Sequence, residues 1–435
     1  MATHPTGRES TDEVNKLRVE SMSYGRPAVG RADGRVVFVE GGAPGDEIEF
    51  ALRKRHERYD EADLLRVVDA GPSRVDPPCP IVERCGGCPW QHLSAPAQAD
   101  AKRHAIIENL RRIARLSDPP VVETVPSPLA LGYRNRLRLR FDRGKLGFYQ
   151  ARTHSLVEVG DCLIAEDRVR DALGDAAHFA ASLETRVTRV EIASRGELDG
   201  VTLAINSAGR LRRADSERIR RFVDDHGNDV RGVLIWGRGW KRRRGELGRV
   251  FVVDDAGTWI GPDTASFAQV NTAANRVLVE TVLDEATRDG AERAVELYAG
   301  AGNLSLPLAR RLRGVVAVES DETAAKAAVE AARSQRIDGL RVRAATTESF
   351  LAGGKFGTPD VVVCDPPRSG LGVANSRAVA EQGVGRIVYV SCDAATLARD
   401  VAVFAEHGYR LKRATPIDLF PHSFHVETVC SLELT

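Results

Sequence analysis

No run of apolar residues in this 435-residue chain approaches the length needed to cross a bilayer. Its first residues, Met1-Ala-Thr-His-Pro-Thr-Gly-Arg8, lack the apolar stretch of a secretory signal. Both absences argue against a membrane or exported protein and for a soluble cytoplasmic one. An excess of either charge is missing as well: 62 Lys and Arg stand against 61 Asp and Glu, so overall charge says nothing about partners. The seven cysteines are odd in number and irregularly spaced, which speaks against a disulfide framework and for chemistry or metal binding. Internal repeats and long low-complexity tracts are also absent, and the length leaves room for two or three domains with ample core.

What is present is organised around Glu296-Leu-Tyr-Ala-Gly-Ala-Gly-Asn303, an apolar strand that runs through a glycine-rich turn into a helix-like stretch from Leu304 to Arg311. Glycines there let backbone N–H groups approach a ligand with no Cβ in the way. The third glycine of the dinucleotide fingerprint is lacking, since position 305 is Ser, so a pyrophosphate reading is weak and a plain strand-to-helix turn is the alternative. The next strand, Val315 to Val318, ends in Glu319, where doubly wound sheets hold a ribose diol. Pro359 to Cys364 reads as a buried strand ending in Asp365-Pro-Pro-Arg368. An acidic second-strand tip with Asp-Pro-Pro after the fourth strand points to S-adenosylmethionine rather than a dinucleotide. Arg386 to Cys392 then delivers a thiol to the same edge, just before a helix starting at Asp393. Helix N-termini favour the thiolate, which makes Cys392 a candidate nucleophile; a buried structural cysteine is the alternative.

Taken in order, residues 1–16 are polar and expected to be disordered. Five short strands then fill residues 17–72, with a hairpin signal at Asp33-Gly34, which predicts a small closed barrel of the oligonucleotide-binding type. The basic run Arg53 to Arg58 would lie beside its binding face or be a solvated charge run. Residues 73–262 form a β-rich central domain. It opens on Cys79, Cys85 and Cys88, three thiols in ten residues, with Cys162 the other cysteine before the cofactor domain. Four thiolates suit zinc or an iron–sulfur cluster, and spacing does not separate them. An amphipathic helix is expected over 96–116, packing on the C-terminal domain. In Tyr133 to Phe141, Arg134, Arg136, Arg138 and Arg140 alternate with apolar residues, so one strand face is all arginine and a phosphate backbone is the natural partner. Trp240-Lys-Arg-Arg-Arg244 reads as an aromatic and basic loop suited to RNA. From 263 on, strands and helices alternate as in a parallel doubly wound sheet, ending in a strand whose mouth carries Glu427.

In this order the motifs resemble the RNA (uracil-5-)methyltransferase family, and nearly the whole chain takes part. The resemblance rests on the N-terminal barrel, of the TRAM type; on Cys79-x5-Cys85-x2-Cys88 with the distant Cys162; on Phe267-x-Gln269-x-Asn271 and the Gly-x-Gly-Asn loop; and on Asp365-Pro-Pro-Arg368, Tyr389-Val-Ser-Cys392 and Pro421-His-x-x-His425-x-Glu427. It implies a Rossmann-like S-adenosylmethionine-dependent enzyme that makes 5-methyluridine, with Cys392 the nucleophile and Glu427 the base. It implies further that Gln269, Tyr298, Asn303, Glu319 and Asp365 contact the cofactor, and that Cys79, Cys85, Cys88 and Cys162 hold a [4Fe-4S] cluster. The cluster and barrel favour 23S ribosomal RNA over transfer RNA as the substrate, acted on by a monomer. Two positions depart from the family: Ala394 stands where proline is common, which could loosen the turn after the nucleophile, and Thr346 replaces a frequent Asn or Asp. An RNA cytosine-5 methyltransferase would carry a cysteine where Arg368 stands. A catalytically inactive RNA-binding iron–sulfur protein is the rival of another class.

Overall fold

The computed structural model describes residues 15–226, 229–354, 357 and 359–435, so most of the expected N-terminal tail lies outside the described residues. The chain divides into two compact units. The first holds the described residues up to Pro78, with Cys88–Ala101 and His422–Phe424; the second holds Cys79–Gly87, Lys102–Pro421 and His425–Thr435.

In the first unit, β1 (Asn15–Met22), β2 (Pro27–Ala32), β3 (Arg35–Glu40), β4 (Glu47–Arg55) and β5 (Tyr59–Asp69) close a barrel in the order β1-β2-β3-β5-β4. Only β3 and β5 pair in parallel, as in the five-stranded oligonucleotide-binding barrel. The Asp33-Gly34 signal holds: both residues take left-handed backbone, φ 49° and 77°, which a tight two-residue hairpin turn demands. Alternate strand residues such as Val19, Val37, Val39, Ile48 and Phe50 fill the interior together with Trp90 and Leu93. The basic run has local partners. Arg53 meets Glu61 at 2.7 Å and Asp63 at 3.1 Å, and His56 lies 3.2 Å from Glu61 with its ring stacked on Tyr59.

Helix α1 (Ala95–Arg112) starts in the first unit and continues into the second. It ends four residues before the expected 116, so Ile113 is exposed while Ala105, Ile106 and Leu110 are buried. The expected packing against C-terminal residues is seen from Lys102 onward, whose ammonium is wholly buried and bonded to Asp418 at 2.5 Å and to the Phe420 carbonyl at 3.2 Å.

The second unit contains two seven-stranded sheets. One is built from β6 (Arg136–Asp142), β7 (Lys145–Tyr149), β8 (Leu156–Glu158), β9 (Val187–Ser194), β10 (Val201–Ser207), β11 (Val230–Gly237) and β12 (Trp240–Gly245), in the order β12-β11-β10-β9-β6-β7-β8. Helices α2 (Asp167–Ser182) and α3 (Arg213–Asp225) bury their apolar stripes on its Leu137, Leu139, Val190 and Ile192 face. Two sequence expectations change here. Three of the four arginines of the row have partners within the protein: Arg138 sits directly across from Glu191 on β9 and bonds it at 2.7 Å, Arg136 is buried 3.4 Å from the same carboxylate, and Arg140 lies over the Tyr149 ring. A cross-strand carboxylate relieves part of the repulsion along the row. Residues 240–244 form an edge strand rather than a loop, and Trp240 is half-buried against the apolar core of this sheet with its indole N–H donated to the Gly209 carbonyl at 2.9 Å. It anchors the strand and is not a free stacking platform.

A short ladder of β13 (Phe251–Val252) and β14 (Trp259–Ile260) leads to α4 (Thr272–Ala286), which Asn271 caps by accepting from the Ala274 N–H. Then follow β15 (Arg293–Leu297), α5 (Ser305–Arg311), β16 (Gly314–Glu319), α6 (Glu322–Ser334), β17 (Leu340–Ala344), α7 (Thr347–Ala352), β18 (Val361–Cys364), α8 (Gly372–Ala380), β19 (Arg386–Ser391), α9 (Ala394–Glu406), β20 (Tyr409–Ile417) and β21 (Glu427–Leu434). The sheet order is β17-β16-β15-β18-β19-β21-β20, a Rossmann-like methyltransferase arrangement. Its first five strands are parallel, but β21 inserts antiparallel to both β19 and β20. The sheet is therefore mixed rather than wholly parallel, because the chain returns from β20 by a short loop and not by a crossover helix.

Candidate active site

The carboxyl ends of β15, β16, β18 and β19 bring Tyr298, Glu319, Asp365 and Cys392 to one edge, where open α/β sheets bind ligands. Tyr298 leaves β15 with φ 64°, an uncommon conformation for a bulky residue, and its hydroxyl meets Thr347 and Asn375. Gly300 and Gly302 also take positive φ; a Cβ on Gly300 would meet open space, so the loop is bare on the side facing out. The Glu319 carboxylate accepts from the Gly300 N–H at 2.8 Å and the Asp321 N–H at 2.6 Å, which ties the second strand tip to the glycine turn. Asn303 exchanges two side-chain hydrogen bonds with Asn275 of α4, at 2.8 and 3.0 Å. Gln269 offers its backbone carbonyl to Asn135 at 2.9 Å, and Phe267 two residues earlier is 70% exposed.

The serine that replaces the third fingerprint glycine has a partner the sequence did not reveal. Ser305 opens α5 and donates its hydroxyl to Glu296, which is buried on β15. Burial first, then the nearby Asp365 and Glu319, push the Glu296 carboxyl up to about 8, so it is mostly protonated at neutral pH.

Cys392 and Glu427 meet through strand register. Ser391 on β19 pairs with Thr428 on β21, so the next step along the ladder sets Cys392 against Glu427. The Glu427 carboxyl is pushed well above its ordinary range, by burial above all and then by Asp365, with Arg368 acting the other way. Asp365 is pushed up to about 7 by the apolar strand ends around it. A cation beside it would favour its charged form. The expectation of an acidified thiol is not met: burial, then Glu427, push Cys392 up to about 12 against the pull of Arg368. The helix start gives no compensating help. Asp393 caps α9 by accepting from the Ala395 N–H at 3.1 Å and the Thr396 N–H at 2.9 Å, so a carboxylate has taken the donors that would have steadied a thiolate. The same cap, with Ser391 bonded to Asp393, holds the turn that Ala394 in place of proline might have loosened.

Arg368 is the residue the sequence reading passed over. Its guanidinium is the cation that favours ionisation of both Cys392 and Glu427, and it lies 3.5 Å from the His425 Nε2. Burial and the charge of Arg368 push His425 down to about 4, which keeps it neutral. Asp-Pro-Pro-Arg was in view as a motif, but only the fold shows which groups its arginine faces. Thr346, for its part, caps α7 by accepting from the Ser349 N–H at 3.1 Å.

The four expected metal ligands are not assembled as a ligand set: among the described residues, no group of three or more His, Cys, Asp or Glu is gathered to hold a metal ion. Cys79, Cys85 and Cys162 are nonetheless within electrostatic reach of one another. Burial pushes the Cys162 thiol up to about 11, and Cys85 and Cys79 add to the rise. Cys85 bridges Gln150 through the backbone, and Gly86 passes so close to the Tyr149 carbonyl that a Cβ would come within 3.0 Å of it. None of the cysteines forms a disulfide. Among the described residues, no helix is long and apolar enough to cross a membrane.

Residues 249–434 match a family model described as tRNA (uracil-5-)-methyltransferase. The chain is 32% identical to a 23S rRNA (uracil(1939)-C(5))-methyltransferase of Azoarcus sp., covering 95% of this chain and 98% of that protein. It is also 32% identical, over 95% of each chain, to an uncharacterized RNA methyltransferase of Gloeobacter violaceus. Among solved structures it resembles the Pyrococcus abyssi tRNA (uracil-54, C5)-methyltransferase in complex with S-adenosyl-L-homocysteine, with a TM-score of 0.74 at 23% identity, covering 97% of this chain and 100% of that one. By the full-length likeness, and by the site that β15, β16, β18 and β19 build, the chain belongs to the RNA (uracil-5-)methyltransferase family.

Proposed function

We propose that this chain methylates carbon 5 of a uridine in 23S ribosomal RNA through a covalent bond between Cys392 and carbon 6 of the base, acting as a cytoplasmic monomer. The observation that carries the reading is the register that sets Cys392 against Glu427, with Arg368 and Asp365 facing both. Carbon 5 of uracil is a weak nucleophile. Addition of the Cys392 sulfur to carbon 6 turns it into an enolate carbon, and Arg368 is the cation at hand to favour both the thiolate and that enolate. S-adenosylmethionine, held by Gln269, Tyr298, Asn303, Glu319 and Asp365, supplies an electron-poor methyl group. Glu427 as carboxylate then takes the proton from carbon 5, the carbon 5–carbon 6 double bond reforms, and the sulfur leaves. The base must be unstacked to expose both carbons, so the target uridine is single-stranded or flipped. The full-length relatives that act on 23S RNA support that substrate over transfer RNA.

The test is methyl transfer from labelled S-adenosylmethionine to separated 23S, 16S and transfer RNA from cells lacking the gene. Label recovered as 5-methyluridine in 23S RNA is the expected outcome. Label confined to transfer RNA would keep the chemistry and overturn the substrate; binding of RNA without any label would favour an inactive RNA-binding protein.

We further propose that Cys79, Cys85, Cys88 and Cys162 hold a [4Fe-4S] cluster. A donor set of four cysteines suits it, and the mutual influence of three of the thiols is relieved by a cationic metal core. Protein purified without oxygen is expected to carry four irons and four sulfides per chain, a stoichiometry fixed by the cluster type, and Cys162→Ser to lose most of the iron. One zinc per chain and no sulfide would overturn the cluster.

A further inference from the structure

We propose that Asp400, together with Tyr389, is a positioning residue that fixes Arg368 opposite Cys392 and Glu427; the proposal rests on the reading of Cys392 as the nucleophile. Arg368 belongs to the turn Asp365-Pro-Pro-Arg-Ser-Gly-Leu371, and that turn is held from one side of α9. Residues 393, 396, 399 and 400 fall on one face of this helix by their spacing. Asp393 caps it; Thr396 donates its hydroxyl to the Arg368 carbonyl at 3.2 Å; and Arg399 donates to the Ser369 carbonyl at 2.8 Å. Asp400, wholly buried, closes the set: its Oδ2 accepts from the Leu371 N–H at 2.9 Å and the Tyr389 hydroxyl at 2.7 Å, and its Oδ1 from Arg399 at 2.8 Å.

The fit is close. Gly370 has φ 70°, and a Cβ there would come within 2.5 Å of Asp400 Oδ2 and 2.6 Å of an Arg399 nitrogen. Cys392 stands at the start of the same helix. One rigid element therefore presents the thiol and also sets where the guanidinium that faces it must stand. A carboxylate that served only to bury Tyr389 would not need to reach the backbone of the turn two residues beyond Gly370's neighbour Ser369, yet Asp400 bonds Leu371 directly.

The experiment compares the full-length protein with Asp400→Asn and Tyr389→Phe. Three quantities are read: S-adenosylmethionine affinity by calorimetry; the rate of Cys392 alkylation by iodoacetamide against pH, followed on its peptide by mass spectrometry; and covalent trapping on RNA carrying 5-fluorouridine, from which elimination cannot follow because no proton sits on carbon 5. The charged and titratable groups facing the thiol are Glu427, Arg368, Asp365 and Asp393, and only Arg368 favours its ionisation. Asp400→Asn is expected to move the alkylation profile to higher pH and to slow trapping by roughly 10- to 100-fold, as loss of a supporting contact typically does, while cofactor affinity stays within about twofold. Tyr389→Phe removes the weaker 3.4 Å contact of the Leu371 N–H with the hydroxyl but leaves the bonds of Leu371 and Arg399 to Asp400 in place, and should shift the profile in the same direction by less. An unmoved pH profile in both variants would overturn the proposal, as would a change confined to melting temperature or cofactor affinity. Should Asp400→Asn fail to fold, the Tyr389→Phe profile decides alone. Full methyl transfer by Cys392→Ala would instead strike the nucleophile reading, so the two failures are distinct.

Discussion

Cys392→Ala is expected to abolish methyl transfer, with turnover down by at least about four orders of magnitude, as loss of a covalent nucleophile typically costs. The argument is electronic. Without a sulfur on carbon 6, carbon 5 stays part of a conjugated ring and gains no carbanion character, whatever else the site supplies. Because the thiol stands near 12 in the free protein, the thiolate is a minor species at neutral pH, and its formation requires help from groups around it. The rate of covalent addition should therefore rise with pH through the neutral range. Cofactor binding should survive the substitution, since the residues at Glu319 and the glycine turn are untouched. Detection of 5-methyluridine at wild-type rate by nucleoside mass spectrometry would sink the covalent mechanism.

Glu427→Gln should divide the reaction at a different point. The amide is nearly the same size and accepts the same neighbours, but it cannot take a proton. Addition of Cys392 and formation of the new carbon–carbon bond should go ahead, whereas release stalls. The expected result is a protein–RNA species that withstands denaturing gel electrophoresis, with turnover lower by about 10²- to 10⁴-fold, the usual range for a lost general base. Removing a carboxyl that destabilises the thiolate should also ease the first step, since Glu427 is the second-largest cause of the raised Cys392 value after burial. Free product at the normal rate, with no trapped species, would reassign the base.

Much of this site was legible as a string because each cofactor-edge residue follows an apolar strand by one or two positions. Glu319 after Val315–Val318, Asp365 after Val361–Cys364 and Cys392 after Ile387–Ser391 all lie where a strand must end. The barrel was legible for a similar reason, because Asp33-Gly34 fixes a hairpin locally. What failed depends on neighbours distant in sequence. Glu191 lies more than fifty residues from Arg138, and nothing near the arginine row announces it. The thiol of Cys392 is raised by burial first and then by Glu427, which a parallel last strand would have aimed elsewhere; the antiparallel insertion of β21 was the one topological feature the pattern of strands and helices did not convey. Trp240 looked like a surface aromatic because its acceptor, the Gly209 carbonyl, is thirty-one residues away.

That insertion bears on how the protein is made. β19 is synthesised with only one permanent neighbour, and its other side stays open until β21 has emerged and slipped between it and β20. A strand that must enter an existing gap closes long-range pairings late, because the entropy of the intervening segment has to be lost first. Cys392 is thus made while Glu427 is still to come, and the pair that we propose to be reactive forms only as the sheet is sealed. On the proposed mechanism, a ribosome that carries a partly made copy of this chain holds a thiol that is not yet competent to add to a uridine.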